Sequence, residues 1–314
     1  MITVDEKYHH NVSGNYTIHV YVKTKDGETI GYNLGQYALN NTQTTTSVST
    51  SYKGTGVYGI IVSGVYSSGT VKYAVWSDTN GQDDIKWYDA TTSGTSATGL
   101  INVTNHSGTG TYHVHVYQSD NGKMYFLTST DFTVKQTNYS NPYYNQRDGR
   151  WANTRYGYYT MASTGCVPTS LAMVFSALTN TEVLPTTVAS YLYNNTVEFN
   201  RGTEGTTGNG ILVASRQWGL IPTVLNSSSV LSSALQEGHY VVAAVQQNKF
   251  SPWGWGTSHE IVLKGYSNGM TYVSDPYNSA NNGWYPIASL WNEQSTQSVD
   301  VSGLGCPFVK ITDI

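Results

Sequence analysis

The chain has 314 residues, of which 11% are charged, and its formal net charge is −4. Residues 1–140 contain 8 Lys and 10 Asp or Glu, and the rest contains 8 Lys or Arg and 10 Asp or Glu. We therefore expect no basic patch and exclude nucleic acid as a partner. No apolar run approaches the roughly 18 residues of a membrane span, and the first residues do not read as a signal peptide.

A change of composition near residues 138–142 divides the chain. All eight prolines, both cysteines and every arginine lie after residue 140, whereas the earlier part is made largely of Thr, Ser, Gly, Asn, Tyr and Val. Short alternating runs separated by turn residues dominate that earlier part, for example at 16–22 and 112–117. Such runs predict the strands of an antiparallel sandwich joined by tight turns.

The earlier part also contains an internal repeat. HNVSGNYTIHVY begins at residue 10 and aligns with HSGTGTYHVHVY, which begins at residue 106, an offset of 96 residues. We therefore predict a partial copy at 1–43, a complete copy at 44–137 and a separate domain at 142–314. Half a sandwich has an open edge, so we expect the partial copy to pack against its neighbour or to mark where a longer protein was cut.

Few residues of the repeat are candidates for ligand binding. Asp83 and Asp84 could ligate calcium, and His113 and His115 could ligate zinc, but neither pair has the ligand count or spacing of a known site. We interpret all four as solvated turn and strand residues. The sequence predicts no metal and no cofactor.

Residues 71–88 (VKYAVWSDTNGQDDIKWY) and 110–117 (GTYHVHVY) resemble the GBS Bsp-like repeat of Gram-positive surface proteins and lytic enzymes. The resemblance spans the complete copy and implies a binding role at the cell wall or surface. Trp76, Trp87 and Tyr88 are either core anchors or a platform on which sugars stack, and we favour the core.

In the second part a cysteine precedes a predicted helix. The spacing i, i+3, i+4, i+7 of an amphipathic helix is met by Leu171, Val174, Phe175 and Leu178. Cys166 therefore lies at or just before the helix N-terminus, where unpaired N–H groups and the helix dipole favour the thiolate. The alternative is a buried structural cysteine.

Further helices are predicted near residues 186–193, 211–218 and 230–237, followed by a buried strand at 240–245. Helices that precede strands indicate an α+β layout. A glycine-rich loop at 202–210 lacks the Gly-Lys-Ser/Thr of a phosphate-binding loop. Because Cys166 and Cys306 are the two cysteines, a disulfide framework is excluded; one bond between them would silence the site described next, and we do not favour it.

A predicted hairpin places His259 at the start of one strand and Asp275 at the end of the next. A two-residue turn would point the two side chains to opposite faces, because side chains alternate along a strand. A three-residue turn at residues 267–269 would set Asp275 opposite Ile261 and on the face of His259. We predict the three-residue turn. Cys166, His259 and Asp275 then follow the order of a nucleophile, a base and an orienting carboxylate.

Four segments together resemble a known family. They are YNQRDGRWA at 144–152, TGCVPTSLAM at 164–173, SHEIVLKGY at 258–266 and YVSDPY at 272–277. They are similar to the papain-like fold in its bacteriocin-leader-peptidase-like branch, over nearly all of 142–314. The resemblance implies an α+β papain-like catalytic domain, here preceded by all-β antiparallel sandwich repeats. It also implies Cys166 as nucleophile, His259 as general base and Asp275 as orienting residue.

One position departs from that family. Papain-like enzymes often carry an oxyanion-hole glutamine six residues before the cysteine, but residue 160 is threonine. We take the Cys166 backbone N–H, with Gln146 folding back, as the candidate oxyanion hole. The substrate cleft is predicted to be lined by five aromatic residues, Trp151, Tyr158, Trp253, Trp255 and Tyr277, each with a core role as the alternative.

The triad and the surface-type repeat together predict a cysteine endopeptidase or amidase that cleaves an amide bond in Gram-positive peptidoglycan. The expected partner is peptidoglycan or another cell-wall polymer, the expected state a monomer, and the expected location extracellular or at the cell wall, after secretion or release by a phage. The alternatives are a secreted cysteine protease that acts on proteins and a catalytically silent surface-binding protein.

Overall fold

The computed structural model describes residues 14–39, 46–66, 69–120, 122–254 and 256–314. The chain divides into two compact units. The first comprises the described residues of 1–51, 59–101 and 106–135, and the second comprises 52–58, 102–105 and the described residues of 136–314. Within the described ranges, no helix is long and apolar enough to cross a membrane.

The part of the chain before residue 136 is built from strands. They are β1 (Gly14–Lys23), β2 (Thr29–Leu39), β3 (Ser47–Gly54), β4 (Val57–Ser63), β5 (Thr70–Ser77), β6 (Lys86–Asp89), β7 (Thr91–Ser93), β8 (Ser96–Asn102), β9 (Gly110–Asp120) and β10 (Lys123–Val134). One four-stranded sheet has the order β10-β9-β5-β6 and the other has the order β3-β4-β8-β7, while β1 and β2 form a two-stranded sheet. The predicted all-β antiparallel architecture is confirmed.

Alternation along the strands builds the interior of this part. On β5, Val71, Tyr73 and Val75 are buried, and on β9, Tyr112 and Val114 are buried. These residues are apolar or aromatic and recur at every second position, so they share one face of the sheet. Ala74 and Trp76 of β5 are buried as well, so the later part of this strand is covered on both faces. β1 and β9 begin at Gly14 and Gly110, which reproduces the 96-residue offset of the repeat. Residues 1–13 and 40–45 of the predicted partial copy and its border lie outside the described residues.

The aromatic residues of the repeat do not share one role. Trp76 is buried, and the ring of Tyr88 stacks on Tyr73 at 5.3 Å, so both belong to the packing that we favoured. Trp87 is different: it is 53% exposed, and its ring lies 5.3 Å from that of Tyr117. The core interpretation is therefore wrong for Trp87.

The acidic and histidine candidates of the repeat are held by local contacts. Asp84 is buried, so the interpretation as a solvated residue is wrong for it. Its carboxylate accepts hydrogen bonds from the backbone N–H groups of Ser77 and Ser107, which compensate for the lost water. His113 lies on a strand and contacts Asp131, with 2.8 Å between Nδ1 and Oδ1. These contacts account for both residues structurally.

The second unit mixes helices and strands. Its elements are β11 (Arg155–Tyr156), β12 (Tyr159–Thr160), α1 (Met161–Thr164), α2 (Cys166–Thr179), α3 (Pro185–Asn195), α4 (Gly208–Gln217), β13 (Ile221–Val224), α5 (Ser228–Gln236), β14 (Tyr240–Gln246), β15 (Ser258–Ser267), β16 (Met270–Ser274), β17 (Gly283–Pro286), α6 (Ile287–Asn292) and β18 (Phe308–Thr312). The predicted α+β layout is confirmed, with each predicted helix within a few residues of its place.

A six-stranded antiparallel sheet organises this unit, in the order β13-β18-β14-β15-β16-β17. On one face Ile261, Leu263 and Val273 join a buried cluster with Leu231 and Leu235 of α5. The alternate residues of β15 point to the other face, where α2 packs against that strand. The sheet thus holds β15 between two layers of helices, and the start of this strand lies near the start of α2.

Candidate active site

Cys166 is the first residue of α2, as the sequence predicts. Helix α1 ends at Thr164, and the single residue Gly165 separates the two helices. A Cβ at Gly165 would lie 2.4 Å from the carbonyl oxygen of Met161. Only glycine fits this junction without a shift of the backbone, and the junction places the sulfur of Cys166 at the wall of a cavity.

His259 and Asp275 meet in the interior of the protein. His259 Nε2 lies 2.7 Å from Asp275 Oδ1, and the two residues are 3% and 1% exposed. Asp275 also accepts hydrogen bonds from the backbone N–H of Tyr277 and from the side-chain amide of Asn281. Because Nε2 is engaged by the carboxylate, Nδ1 is the imidazole nitrogen left to exchange a proton with another group.

The hydrogen bonds of Asp275 decide its protonation state. Burial alone would raise the pKa of this carboxyl, but the hydrogen bond and the charge of His259, together with the bonds from Asn281 and Tyr277, outweigh it and hold the pKa below its usual value. The carboxylate therefore stays ionised near neutral pH and can stabilise a positive imidazolium.

The predicted three-residue turn is wrong, although the register it was meant to produce is present. Ser267 pairs with Met270, so Asn268 and Gly269 form a two-residue turn in which both residues have positive φ, at 49° and 79°. The register then shifts by one residue before Lys264, which pairs with Tyr272. Gly265, with φ of 64°, supplies the left-handed residue of this bulge. A two-residue turn plus one bulged residue offsets the strands as a three-residue turn would.

Cys166, His259 and Gln146 line one cavity of about 430 Å³. Gln146 is buried, and its Nε2 donates a hydrogen bond to the carbonyl oxygen of Ala162 at 2.9 Å. Its Oε1 has no hydrogen-bond partner in the described part of the chain. A residue 20 positions before the cysteine thus reaches the same cavity, and its part in an oxyanion hole stays a prediction.

The thiol of Cys166 is not held as a thiolate. Burial raises its pKa to about 12, and the nearby carboxyl groups of Glu260 and Asp300 act in the same direction, against the lowering effect of the backbone N–H groups of Glu260 and Val167. The expectation of a thiolate from the helix N-terminus alone is therefore wrong. The sulfur of Cys166 therefore carries its proton near neutral pH.

The aromatic cleft candidates separate into three groups. Trp253 and Tyr277 line the cavity, with their ring centroids 5.0 Å apart and that of Trp253 5.6 Å from the ring of His259. Trp151 does not line it; its indole is buried against Tyr144 and donates to a backbone carbonyl, so the cleft prediction is wrong for this residue. Tyr158 is exposed and does not line the cavity either, so the cleft prediction is also wrong for it. Trp255 lies outside the described residues.

Three acidic residues of the cavity wall were missed from the sequence. They are Glu204, Glu260 and Asp300. The sequence signal for Glu260 is a charged residue directly beside the apolar run Ile261-Val262-Leu263. Asp300 gave no local signal, because only the tertiary fold brings it to β15.

Both cysteines are free thiols. Cys306 is buried, and its sulfur lies 3.8 Å from Gln294 Oε1. A disulfide with Cys166, which would have blocked the sulfur, is therefore not formed. Cys166 retains some exposed surface toward the cavity.

The sheet, the helix that begins with a cysteine and the His–Asp pair define a papain-like α+β domain. Residues 139–299 match the Peptidase_C39 like family, which is more than half of the 314 residues. The chain belongs to the Peptidase_C39 like family. Residues 47–132 match the GBS Bsp-like repeat. Both matches agree with the resemblances seen in the sequence.

Solved structures resemble the chain at low sequence identity. The peptidase domain of Streptococcus ComA, a bi-functional ABC transporter involved in a quorum sensing pathway, is 17% identical, with 47% of this chain and 88% of that chain covered and a TM-score of 0.34. A putative C39-like peptidase from Bacillus anthracis is 16% identical, with coverages of 55% and 94% and a TM-score of 0.36.

Chitinase ChiW from a Paenibacillus species, a multi-modular enzyme expressed on the cell surface, is 11% identical, covers 31% of this chain and 9% of its own, and has a TM-score of 0.25. No curated protein matches the chain. The family assignment therefore rests on the match of residues 139–299.

Proposed function

We propose that the protein is a cysteine hydrolase that cleaves an amide bond in Gram-positive peptidoglycan, brought to the wall by its β repeats. The observation that carries the proposal is the convergence of three side chains. His259 is held by Asp275 at 2.7 Å, and His259 and Cys166 line the same cavity. A thiol, an imidazole and a buried carboxylate are the parts of a nucleophilic triad.

The chemistry follows from the protonation states. Nδ1 of His259 takes the proton of the Cys166 thiol as the sulfur attacks the carbonyl carbon, and ionised Asp275 stabilises the imidazolium that forms. The imidazolium then returns the proton to the leaving amine, and a thioester remains on Cys166. Water, deprotonated by His259, hydrolyses the thioester and restores the free thiol. Because the pKa of the resting thiol is about 12, the base is required in the first step.

The tetrahedral intermediates carry an oxyanion that needs hydrogen-bond donors. The backbone N–H of Cys166 is one candidate, since the first N–H groups of a helix have no partner within the helix. The other is the second N–H of Gln146 Nε2, because Gln146 lines the cavity and the first N–H of this nitrogen is fixed by its bond to the carbonyl oxygen of Ala162. A buried amide that is already oriented costs little reorganisation when the charge develops.

An aromatic row on the repeat supports binding to a sugar-containing wall. The ring of Tyr117 lies 5.3 Å from Trp87 and 5.6 Å from Phe126, which in turn lies 5.5 Å from His115. Trp87 and Phe126 are both exposed. Aromatic faces of this kind stack on the apolar faces of sugar rings. We expect Trp87→Ala to weaken sedimentation of the protein with purified Gram-positive walls, and Trp284→Ala, which removes an exposed tryptophan of the second unit, to leave it unchanged.

The test of the activity is loss of turbidity of purified Gram-positive walls, followed by mass spectrometry of the released fragments. Wild-type protein and Cys306→Ala should lyse the walls and release fragments with a newly hydrolysed amide, whereas Cys166→Ala should not. Lysis that survives Cys166→Ala would exclude the thiol mechanism. Fragments from added proteins in place of wall fragments would instead identify a secreted protease.

A second candidate, a silent surface-binding protein, is favoured by one observation: the pKa of the Cys166 thiol is raised to about 12. Iodoacetamide alkylates thiolates, so the rate at Cys166 separates the two functions. A base-assisted thiol is alkylated faster in wild type than in His259→Ala. Equal, slow rates in both proteins would support the silent alternative.

A further inference from the structure

The lining of the active-site cavity is acidic. Glu204, Glu260 and Asp300 line it, and none of the described lining residues is a lysine or an arginine. The other titratable groups among the described lining residues are Cys166, His259 and Tyr277. The cavity therefore offers several carboxyl groups and no permanent positive charge to balance them. A ligand that fits it electrostatically is positive.

Glu260 is the buried member of this acidic group. It is 3% exposed, although it follows His259 directly on β15. Its Oε1 has no hydrogen-bond partner among the residues that the structure describes. Leaving a buried carboxyl oxygen without a partner is costly, so such a group usually serves a ligand or a reaction. Here it borders the cavity that holds the nucleophile.

Asp300 lines the same cavity and is more firmly held. Its carboxylate accepts a hydrogen bond from Ser295 Oγ and a second from the side chain of Ser258, the residue before His259. Asp300 and Glu260 interact electrostatically with each other and with Cys166. Two carboxyl groups from distant parts of the chain thus converge beside the reacting sulfur.

We propose that Glu260 and Asp300 form a subsite that binds a positively charged primary amino group of the substrate next to Cys166. An ammonium group has three donors, which match the free Oε1 of Glu260 and the remaining acceptor positions of Asp300. The ligand class is a peptide with a free amine close to the bond that is cut. The subsite itself is inferred from the cavity, and only the identity of the bond that is cut rests on the proposed function.

Occupation of this subsite also changes the reactivity of the thiol. Burial raises the pKa of Glu260 well above its usual value and raises that of Asp300, so both groups ionise less readily than exposed carboxyl groups. A bound ammonium favours the ionised carboxylates, and its own charge cancels their repulsion of a thiolate at Cys166. A cationic substrate is thus both bound and helped to react.

The subsite is tested first without a substrate, by charged reagents that modify Cys166. The thiolate attacks the sulfur of an alkyl methanethiosulfonate, a mixed disulfide forms, methanesulfinate leaves, and the thiol proton passes to solvent. The reagents are the 2-aminoethyl, 2-hydroxyethyl and 2-sulfonatoethyl compounds, and each rate is divided by the rate of that reagent with free cysteine. Cys306→Ser serves as the background, and intact mass reports the labelling.

We expect the 2-aminoethyl reagent to react about tenfold faster than the neutral one at low salt, and the anionic reagent to be the slowest. Glu260→Gln and Asp300→Asn should each bring the ratio toward one. Glu182→Gln, which changes an exposed residue that does not line the cavity, should leave it as it is. A ratio near one in the background protein, or a tenfold ratio that persists in folded Glu260→Gln and Asp300→Asn, would overturn the subsite.

The second test uses the wall itself. Purified peptidoglycan is compared with the same material after acetylation of its free amines, and we expect the acetylated walls to be cut about tenfold more slowly. Equal rates would overturn the role of the subsite in substrate binding even if lysis occurs. A charge preference of the reagents with no lysis of either material would retain the subsite and reject the proposed function.

Discussion

Opposing effects act on the pKa of the Cys166 thiol. Backbone N–H groups at the start of α2 favour the thiolate, whereas burial and the carboxyl groups of Glu260 and Asp300 favour the thiol, and the second set prevails. His259 is fixed by an ionised Asp275 at 2.7 Å. The reactivity of Cys166 therefore depends on the charge and hydrogen bonding of the residues around its sulfur. Substitutions of Asp275 and of Glu260 test two of these residues.

The first concerns Asp275. Asp275→Ala removes the acceptor of His259 Nε2 and should lower kcat by about 10²-fold, whereas Asp275→Asn retains an acceptor oxygen and should lose less. Loss of the hydrogen bonds from Tyr277 and Asn281 should also cost Asp275→Ala about 1–3 kcal/mol of stability. The measurements are initial rates of wall lysis and urea unfolding, with Asp148→Ala, a surface ion-pair residue, as control. Wild-type kcat in Asp275→Ala would contradict the triad.

The second concerns Glu260. Its raised pKa means that the native state retains a proton that the unfolded chain releases above about pH 4.5, so the free energy of unfolding should fall as the pH rises from there toward the raised pKa. The slope approaches about 1.4 kcal/mol per pH unit for one proton. Glu260→Gln cannot titrate, and we expect its stability relative to wild type to increase between about pH 5 and about pH 8.

Urea unfolding at the two pH values measures this difference. Glu182→Gln, an exposed glutamate, is the matched control and should follow wild type at both. A stability difference between wild type and Glu260→Gln that is the same at both pH values would show that Glu260 does not titrate differently in the folded and unfolded states.

At the scale of elements, the site depends on two backbone devices. Gly165 allows α1 and α2 to meet closely enough to aim Cys166 at the cavity. The bulge at Gly265 shifts the register of β15 against β16 by one residue, so that Val262 pairs with Ser274. Asp275, the next residue, then lies on the same face as His259. Neither device contributes a reacting atom, yet each sets the position of one.

The Gly165 junction gives the prediction at this scale. Gly165→Ala introduces a Cβ 2.4 Å from the Met161 carbonyl oxygen, so the helices must shift. We expect a loss of about 1–3 kcal/mol in stability and a larger proportional loss in kcat, because the sulfur moves with the start of α2. Thermal unfolding and lysis rates report the two. Gly149→Ala, where a Cβ meets no atom within 4 Å, is the control, and equal behaviour of both variants would refute the steric argument.

At the scale of the whole molecule, the last strand of the chain is an interior strand of the sheet. β18 pairs with β13 on one side and with β14 on the other, and Phe308, Val309 and Ile311 are fully buried. The second unit therefore closes its sheet with strand β18, which comes long after Cys166 in the sequence. Such non-local pairing slows folding and makes the structure depend on a short segment.

Removal of residues 308–314 tests this dependence. Loss of three buried side chains at about 2–5 kcal/mol each approaches or exceeds the whole stability of a typical domain, so we expect no cooperative unfolding transition of the second unit and no lysis. Removal of residues 1–39, whose described strands β1 and β2 form a sheet of their own, should leave that transition in place. Differential scanning calorimetry distinguishes the two truncations, and a native-like transition without β18 would contradict the prediction.

The sequence by itself determined the classes of the elements and the residues of the candidate triad. Local periodicity placed the strands of the repeat, the helix behind Cys166 and the hairpin with His259 and Asp275, because spacing along one element selects its buried face. Two motifs were specific enough to indicate both families that match the chain. The change of composition near residue 140 indicated where the second part begins.

Only the tertiary structure decided how these parts meet. The bulge at Gly265 replaced a predicted turn because register follows the packing of the whole sheet as well as the local turn residues. Gln146 and Asp300 reach the cavity from distant positions in the sequence. Trp87, predicted in the core, is exposed, and Trp151, predicted in the cleft, is buried. The pKa of Cys166 is raised, whereas the helix N-terminus alone would lower it. A helix N-terminus is encoded locally, but burial and the nearby carboxyl groups of Glu260 and Asp300 exist only once the chain has folded.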